Sequence, residues 1–320
     1  MPELVSLDDI KAASARIRPA ARVTPLIDVP WPGPDPGERR LWLKCENLQP
    51  MGAFKIRGAT NMLRQLAPDA LARGVITYSS GNHGQAVALA AREAGVPAVI
   101  VMPTTAPAVK VEGAKGYGAE VIFEGRTSAD RKARAEAIAA ERGLTMVPPF
   151  DDPWIIAGQG TVGLEILEQR PSVGTVYVEV GGGGLIAGVA AAIKLSRPDV
   201  RIVGVEPEGA AKMSTSIAAG HPVTLDTVGT IADGLMAVRP GDLNFAHVQA
   251  YVDEVVTVGD GAIECMVPWL FRHARLVVEP SGAVAATAIA LGLGHPAGDV
   301  VAIVSGGNVE PALFARLISA

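Results

Sequence analysis

The sequence predicts an α/β protein of two doubly wound lobes with mainly parallel sheets. Three observations carry this. Short apolar runs of strand length alternate with amphipathic stretches of helix length. Several of the runs end in glycine-rich turns from which a helix sets out. The composition is 49% hydrophobic but only 4% aromatic, with 36 glycines, which suits helices packed closely on a sheet better than a β-sandwich. A chain of 320 residues holds one large domain or two ordinary ones. The expected division is a large lobe of residues 1–64 and 150–320, with a smaller lobe, 65–149, inserted into it.

Taken in order, Ser6 opens a helix, with Asp9 in capping-box position and Ile10, Ala13 and Ile17 on one face. Val29 to Arg39, with four prolines, reads as a loop. Strands are then expected at Val75–Tyr78, Ala98–Met102 and Glu120–Phe123, and helices at Gln85–Glu93, Ala108–Lys115 and Ser128–Arg142. A second series follows: helix Ile155–Glu168, strand Thr175–Val180, helix Leu185–Leu195 and strand Arg201–Glu206. Asp299–Val304 is a further apolar strand, and Pro311–Leu317 a closing helix. Apolar strands alternating with helices imply parallel sheets covered on both faces. Ligands of such sheets sit at the carboxyl ends of the strands.

The formal net charge is −5, and no basic block exceeds Arg39-Arg40, so no nucleic-acid partner is expected. The Met1-Pro2-Glu3 start shows no leader, and no apolar run nears the ~20 residues of a membrane span. A cytoplasmic location is expected. Cys45 and Cys265 form no CxxC pair and read as small buried residues, not as a disulfide or zinc site. The histidines show no metal-ligand spacing.

The chemistry begins with Gly181, Gly182, Gly183 and Gly184, which follow a strand and run into a helix at Leu185. Backbone amides freed of Cβ atoms, at a helix N-terminus, make an anion cradle. Glu206 lies where a ribose-binding acid would sit, so this segment by itself leaves open a nicotinamide dinucleotide or a smaller phosphorylated cofactor. The run LKCENLQPMGAFKIRGA (43–59) sets Lys55 in an apolar, glycine-bordered context, where burial lowers a lysine pKa toward the nucleophilic amine. The turn YSSGNHG (78–84) follows a strand and opens a helix, so its amides suit a carboxylate. VAIVSGGN (301–308) ends the last strand with a hydroxyl beside glycines.

In this order and spacing these motifs resemble the fold-type II pyridoxal-phosphate enzymes, most of all the threonine dehydratase and serine racemase family. The resemblance takes in TAP (105–107), YGAE (117–120), AGQGT (157–161), IADG (231–234) and EPSG (279–282), and so spans nearly the whole chain. It implies a cofactor in the cleft between the lobes, held as a Schiff base on Lys55, which then serves as the base at Cα. It implies Phe54 against the pyridine ring and Gly181 to Gly184 with the Leu185 amide on the phosphate. It sets Asn82 at the ring hydroxyl and Ser305 at the pyridine nitrogen. Ser79, Ser80, Gly81, Asn82 and His83 would bind the substrate carboxylate, with Arg131 as a helper.

A serine hydroxyl at the ring nitrogen is too weak an acid to keep it protonated. A long-lived carbanion is then poorly stabilised, which favours prompt β-elimination over transamination. The expected activity is a threonine/serine ammonia-lyase on a small β-hydroxy amino acid. Serine racemase is the alternative, motivated by Ser80, which matches the racemase residue facing the cofactor opposite the lysine. A dehydratase of 3-hydroxyaspartate or another β-hydroxy amino acid is a third reading. A non-enzymatic binding module and a nicotinamide oxidoreductase stand behind these, the latter leaving Lys55 without a role. Many relatives carry a divalent-cation site that uses the glutamate, a carbonyl and an aspartate. Here Glu206 and Ala210 match but Lys212 stands at the aspartate, so no metal is expected, and the Lys212 ammonium can take the ion's place. Glu206 can equally serve as a local cap. No regulatory domain is expected after Ala320, and the resemblance implies a homodimer.

Overall fold

The computed structural model describes residues 2–34, 37–79, 81–106, 108–125 and 128–319. Their strands form two sheets. The first has the order β1-β2-β10-β7-β8-β9. Its strands are β1 (Leu26–Val29), β2 (Leu41–Lys44), β7 (Val173–Glu179), β8 (Arg201–Pro207), β9 (Glu254–Val258) and β10 (Asp299–Ile303). The second runs β5-β4-β3-β6, from β3 (Val75–Thr77), β4 (Ala98–Met102), β5 (Glu120–Phe123) and β6 (Thr145–Met146). Pairing is parallel throughout except that β1 lies antiparallel to β2 at the edge.

Parallel strands covered on both faces must be apolar on both, and every residue of β4 is buried. On one face of the first sheet, Val176, Val178 and Val180 pack against α7 (Pro153–Gln169) and α8 (Gly184–Ser196), with α1 (Leu7–Ile17) and α10 (Asp242–Tyr251) outside them. On the other, Tyr177, Val203 and Val205 meet α11 (Asp260–Ala274), α12 (Pro280–Ala290) and α13 (Pro311–Ser319). The second sheet lies between α4 (Asn82–Ala94) and α5 (Ala108–Gly116) on one face and α6 (Ser128–Arg142) on the other. α2 (Ile56–Leu63) is buried along its whole length and packs on both α4 and α7, in the seam between the sheets. α3 (Pro68–Arg73) leads into β3, and α9 (Lys212–Ala219) follows β8. No helix among the described residues is long and apolar enough to cross a membrane.

Local signals explain the helix starts. Ser6 and Asp9 form the full capping box on α1. Asp152 caps α7 by accepting from the Trp154 and Ile155 amides, with Pro153 in the first turn. α7 and α8 approach closely because a Cβ on Gly160 would lie 2.9 Å from the Gly188 carbonyl oxygen.

The structure corrects some expectations. Val29 belongs to β1, so the proline-rich loop begins at Pro30, and Asp35 and Pro36 lie outside the described residues. Tyr78, Val180 and Val304 fall just past the ends of their strands. Cys45 is buried as expected, but Cys265 is exposed, because it sits on the solvent side of α11.

Candidate active site

Lys55 stands at the start of α2, in the seam. Its ammonium donates to the Pro149 carbonyl at 2.7 Å and lies 5.1 Å from the centroid of the Phe54 ring. Burial, with no carboxylate acting against it, brings its pKa down from 10.5 to about 8. The neighbouring backbone is tied to the end of β10. Ala53 bridges Gly306, the Phe54 amide donates to the Ser305 carbonyl at 3.1 Å, and the Gly307 amide donates to Gly52 at 2.9 Å. Asn308 Nδ2 donates to the Met51 carbonyl at 2.9 Å and to Asn82 Oδ1 at 2.7 Å. Three motifs far apart in sequence are thereby one bonded unit.

Two glycine-bearing helix starts adjoin this unit, one through Phe150 beside the Pro149 carbonyl that Lys55 meets, the other through Asn82. The glycine run leaves β7 and enters α8 through Gly183, at φ +100°, with no side chain capping the helix. The Gly182 carbonyl is held back by Asn244 Nδ2 at 2.9 Å and the Gly241 amide at 3.0 Å. Among the described residues, the amides of Gly181, Gly182 and Gly183 meet no protein acceptor. A Cβ on Gly182 would run into the Phe150 ring, so the bare backbone is required here. The second turn precedes α4, whose N-cap Gly81 likewise carries no side-chain cap. Ser79 Oγ accepts from the Gly81 amide at 3.3 Å. His83 points inward: it is buried, Nε2 meets the Val147 carbonyl at 3.0 Å, and burial with the nearby Lys55 charge depresses its pKa to about 3. His83 therefore brings no positive charge to this turn. Ser80 lies outside the described residues.

Two carboxyls close the site. Glu279, just before α12, accepts from Asn82 Nδ2 at 2.6 Å, and burial with the neighbouring Asp233 raises it to about 7. Glu179, at the end of β7, accepts from the Ser305 amide at 3.1 Å, and burial raises it to about 8. Lys110 on α5 pairs with Asp233, bridging the two lobes.

Residues 17–306 match the family described as pyridoxal-phosphate dependent enzyme. The chain belongs to that family. It is 40% identical to an L-threonine ammonia-lyase of Thermotoga maritima, over 99% of this chain and 79% of that protein. It is 42% identical to a catabolic L-threonine dehydratase of Staphylococcus aureus, over 96% of this chain and 90% of the relative. The solved structure of maize serine racemase superposes with a TM-score of 0.93 at 39% identity, covering 99% and 98% of the two chains. These likenesses bear out the fold-type II architecture, a lyase-type enzyme and the cofactor, pyridoxal phosphate. This pyridoxal-phosphate enzyme has what that cofactor needs: a lysine with a depressed pKa for the aldehyde and unpaired amides for the phosphate.

Lys212 follows β8 and the short turn after it, and points into a cage of oxygens. Its ammonium is fully buried and donates to the carbonyls of Val180 at 2.7 Å, Ala210 at 2.9 Å and Leu235 at 3.1 Å, and lies 3.1 Å from Glu206 Oε1. Glu206 also accepts from the Met213 amide, the Ser214 amide and the Ser214 hydroxyl, each at 2.8 Å, so it is both ion-pair partner and helix cap. Arg131 donates to Ser128 at the start of α6, at 2.8 Å. The sequence reading gave no role to the segment 147–152, which joins the lobes through contacts to His83, Lys55, Gly182 and α10. Nor did it single out Glu179, Asn244 or Asp151, since a lone polar residue in an apolar run carries no signal of its neighbours.

Proposed function

We propose that the protein is an L-threonine/L-serine ammonia-lyase, converting a β-hydroxy amino acid to a 2-oxo acid and ammonium. Lys55 carries the reading, as a half-buried amine with a pKa brought to about 8 beside two glycine-bearing helix starts. Bound pyridoxal phosphate supplies the electron sink that acidifies the Cα–H bond. The amides of Gly181 to Gly184 and Leu185 would hold its phosphate, Phe54 would lie along the ring, and Asn82 and Ser305 would meet the ring hydroxyl and the pyridine nitrogen. The 79–83 turn binds the substrate carboxylate through its amides, with Arg131 assisting, and orients Cα–H toward Lys55. Lys55 takes the α-proton, and a proton is returned to the departing β-hydroxyl, which leaves as water. One water then returns as ammonium is released, so threonine and 2-oxobutanoate plus ammonium balance. The threonine ammonia-lyase relative, alike over 99% of the chain, supports this reading.

Serine racemase is the second reading, favoured by Ser80 in the sequence and by the 0.93 TM-score with the maize enzyme. A dehydratase of 3-hydroxyaspartate differs from the first only in side-chain pocket. One experiment separates the three. The holoenzyme is given L-threonine, L-serine, D-serine and both 3-hydroxyaspartate diastereomers, and 2-oxo acid and the enantiomer of the remaining substrate are followed. Rapid 2-oxo acid from L-threonine supports the lyase; inversion without it refutes it. The lobes divide at 1–64 with 150–320 and at 65–149, and the enzyme works as a homodimer.

A further inference from the structure

Glu179 is an acid in an unusual place. It ends β7, one residue before the strand gives way to Val180 and the glycine run, and is only 2% exposed. Its Oε1 accepts the Ser305 amide at 3.1 Å, while its Oε2 is buried with no hydrogen-bond partner. It makes no ion pair among the described residues. The charged group that bears on it is another carboxyl, Glu279, which is itself faced by Asp233 and Lys110. Burial outweighs the hydrogen bonds from its own backbone and from the Ser305 side chain and amide, which favour the charged form, and the second acid adds to it, so the site favours the neutral acid. A neutral acid has a proton to donate, and the hydroxyl of Ser305 belongs to the same residue whose amide Oε1 already holds.

We propose that Glu179 is a positioning residue, a neutral carboxylic acid that donates to the Ser305 hydroxyl and so turns that hydroxyl's own proton toward the pyridine nitrogen of the cofactor. The inference rests on the role proposed above for Ser305. The physical reason is that a hydroxyl has one proton and two lone pairs. With a donor behind it, the serine donates forward to the ring. With an acceptor-only carboxylate behind it, the serine donates backward and the ring nitrogen faces a lone pair. Glu179 therefore sets the direction of a hydrogen bond whose weakness as an acid favours elimination. The arrangement gives a pyridine nitrogen that accepts a hydrogen bond without taking the proton.

The test uses holoenzyme loaded with pyridoxal phosphate labelled with 15N in the ring, followed by NMR from about pH 6 to about pH 10. In the wild type the ring-nitrogen resonance should move downfield through a step near the Glu179 value, about 8. In Glu179→Gln, whose amide still donates but cannot titrate, it should stay at the low-pH position throughout. In Ser305→Ala it should sit at the downfield position at every pH. A titration of the lysine linkage itself is common to all three proteins and cancels in the comparison. The same step in Glu179→Gln as in wild type, or an unshifted resonance in Ser305→Ala, overturns the inference. Should Glu179→Gln fail to fold, Glu179→Ala, which leaves no titrating group behind the Ser305 hydroxyl, should also lack the step near pH 8, and a step retained there overturns the inference. Borohydride reduction of the same samples, with peptide mapping, keeps the two claims apart. An adduct on a lysine other than Lys55 sinks the underlying reading. An adduct on Lys55 with a resonance indifferent to Glu179 and Ser305 sinks only the inference.

Discussion

Replacing Lys212 by alanine removes a buried ammonium from a cage of oxygens and leaves a space that a small cation can enter. The magnitude follows from what is stranded. Breaking a buried ion pair by deleting one partner costs about 3–5 kcal/mol, because the other charge stays desolvated. Glu206 keeps three donors at 2.8 Å from Met213 and Ser214, which places the cost near the lower end. The carbonyls of Val180, Ala210 and Leu235 also lose a donor. About 3 kcal/mol in a chain of this size lowers the melting temperature by roughly 4–5 °C. Cofactor retention should fall as well, because Val180 directly precedes the glycine run.

The assay is a thermal melt of holoenzyme with and without a chelator, magnesium, potassium or ammonium. In the wild type none of these should matter, since the ammonium of Lys212 is a tethered cation. In Lys212→Ala, potassium or ammonium should restore stability by mass action, about 2.7 kcal/mol at a hundredfold excess over Kd. Two results would refute the reasoning. One is a Lys212→Ala melt indistinguishable from wild type. The other is a wild-type loss on chelation that magnesium reverses.

Four further expectations follow from the site. Uptake of cofactor by apoenzyme should rise with pH through about 8, because the neutral Lys55 amine at pH 7 is roughly 300-fold more abundant than for a lysine at 10.5; a profile still climbing past about pH 10 would contradict this. Ser80→Ala should abolish racemisation and D-serine turnover while sparing much of the L-threonine elimination, and a joint loss in chiral and 2-oxo acid assays would give Ser80 a placement role instead. His83, depressed to about 3 in the folded state, contributes stability that is present above its unfolded value near 6.5 and lost as pH falls toward 3. Glu179 and Glu279, raised to about 8 and about 7, run the other way, losing stability as pH rises, so urea midpoints of wild type and His83→Asn should converge as pH drops from about 7 to about 5. Gly182→Ala, whose Cβ would enter the Phe150 ring, should cost about 1–3 kcal/mol of cofactor binding, ~5- to ~150-fold in Kd, read by spectroscopic titration.

The central alternation of strands and helices was legible because parallel strands buried on both faces are unbroken apolar runs bounded by glycine turns. The edges were not. β1 and β2 are four residues each, LIDV and LWLK, with polar residues inside and a proline-rich loop between them, so they offer no apolar run. α12 escaped notice for the opposite reason. All but its last residue is buried, so PSGAVAATAIA shows no 3.6-residue alternation. α11 carries Pro268 in its interior, which reads as a break. At the site, lysine, glycines, asparagine and serine announced themselves through contiguous motifs. Lys212 was visible as a departure at the aspartate position, but Glu179 acts through Ser305, 126 residues on, and a sequence does not display which groups surround a side chain.

The same logic explains why Lys55 is a weak base here at all. Two residues on, Arg57 is fully buried and its guanidinium is consumed: Nε and one terminal nitrogen hold Glu46 at 2.7 Å, and Glu165 is held at 2.7 and 2.8 Å. Lys44 completes the group, 2.6 Å from Glu165. Two carboxylates therefore lie within the same buried region as α2, and either, left unpaired near the lysine, would raise its pKa. Arginine, always charged and able to bind two carboxylates with its planar fork, holds both in hydrogen bonds. Desolvation is then left as the one cause acting on Lys55. Arg57→Lys, which keeps the charge but lacks the fork, should free a carboxylate oxygen and move the cofactor-uptake profile to higher pH. An uptake pKa that stayed at the wild-type value in a folded Arg57→Lys protein would mean that the network braces α2 without shaping the chemistry of its first residue.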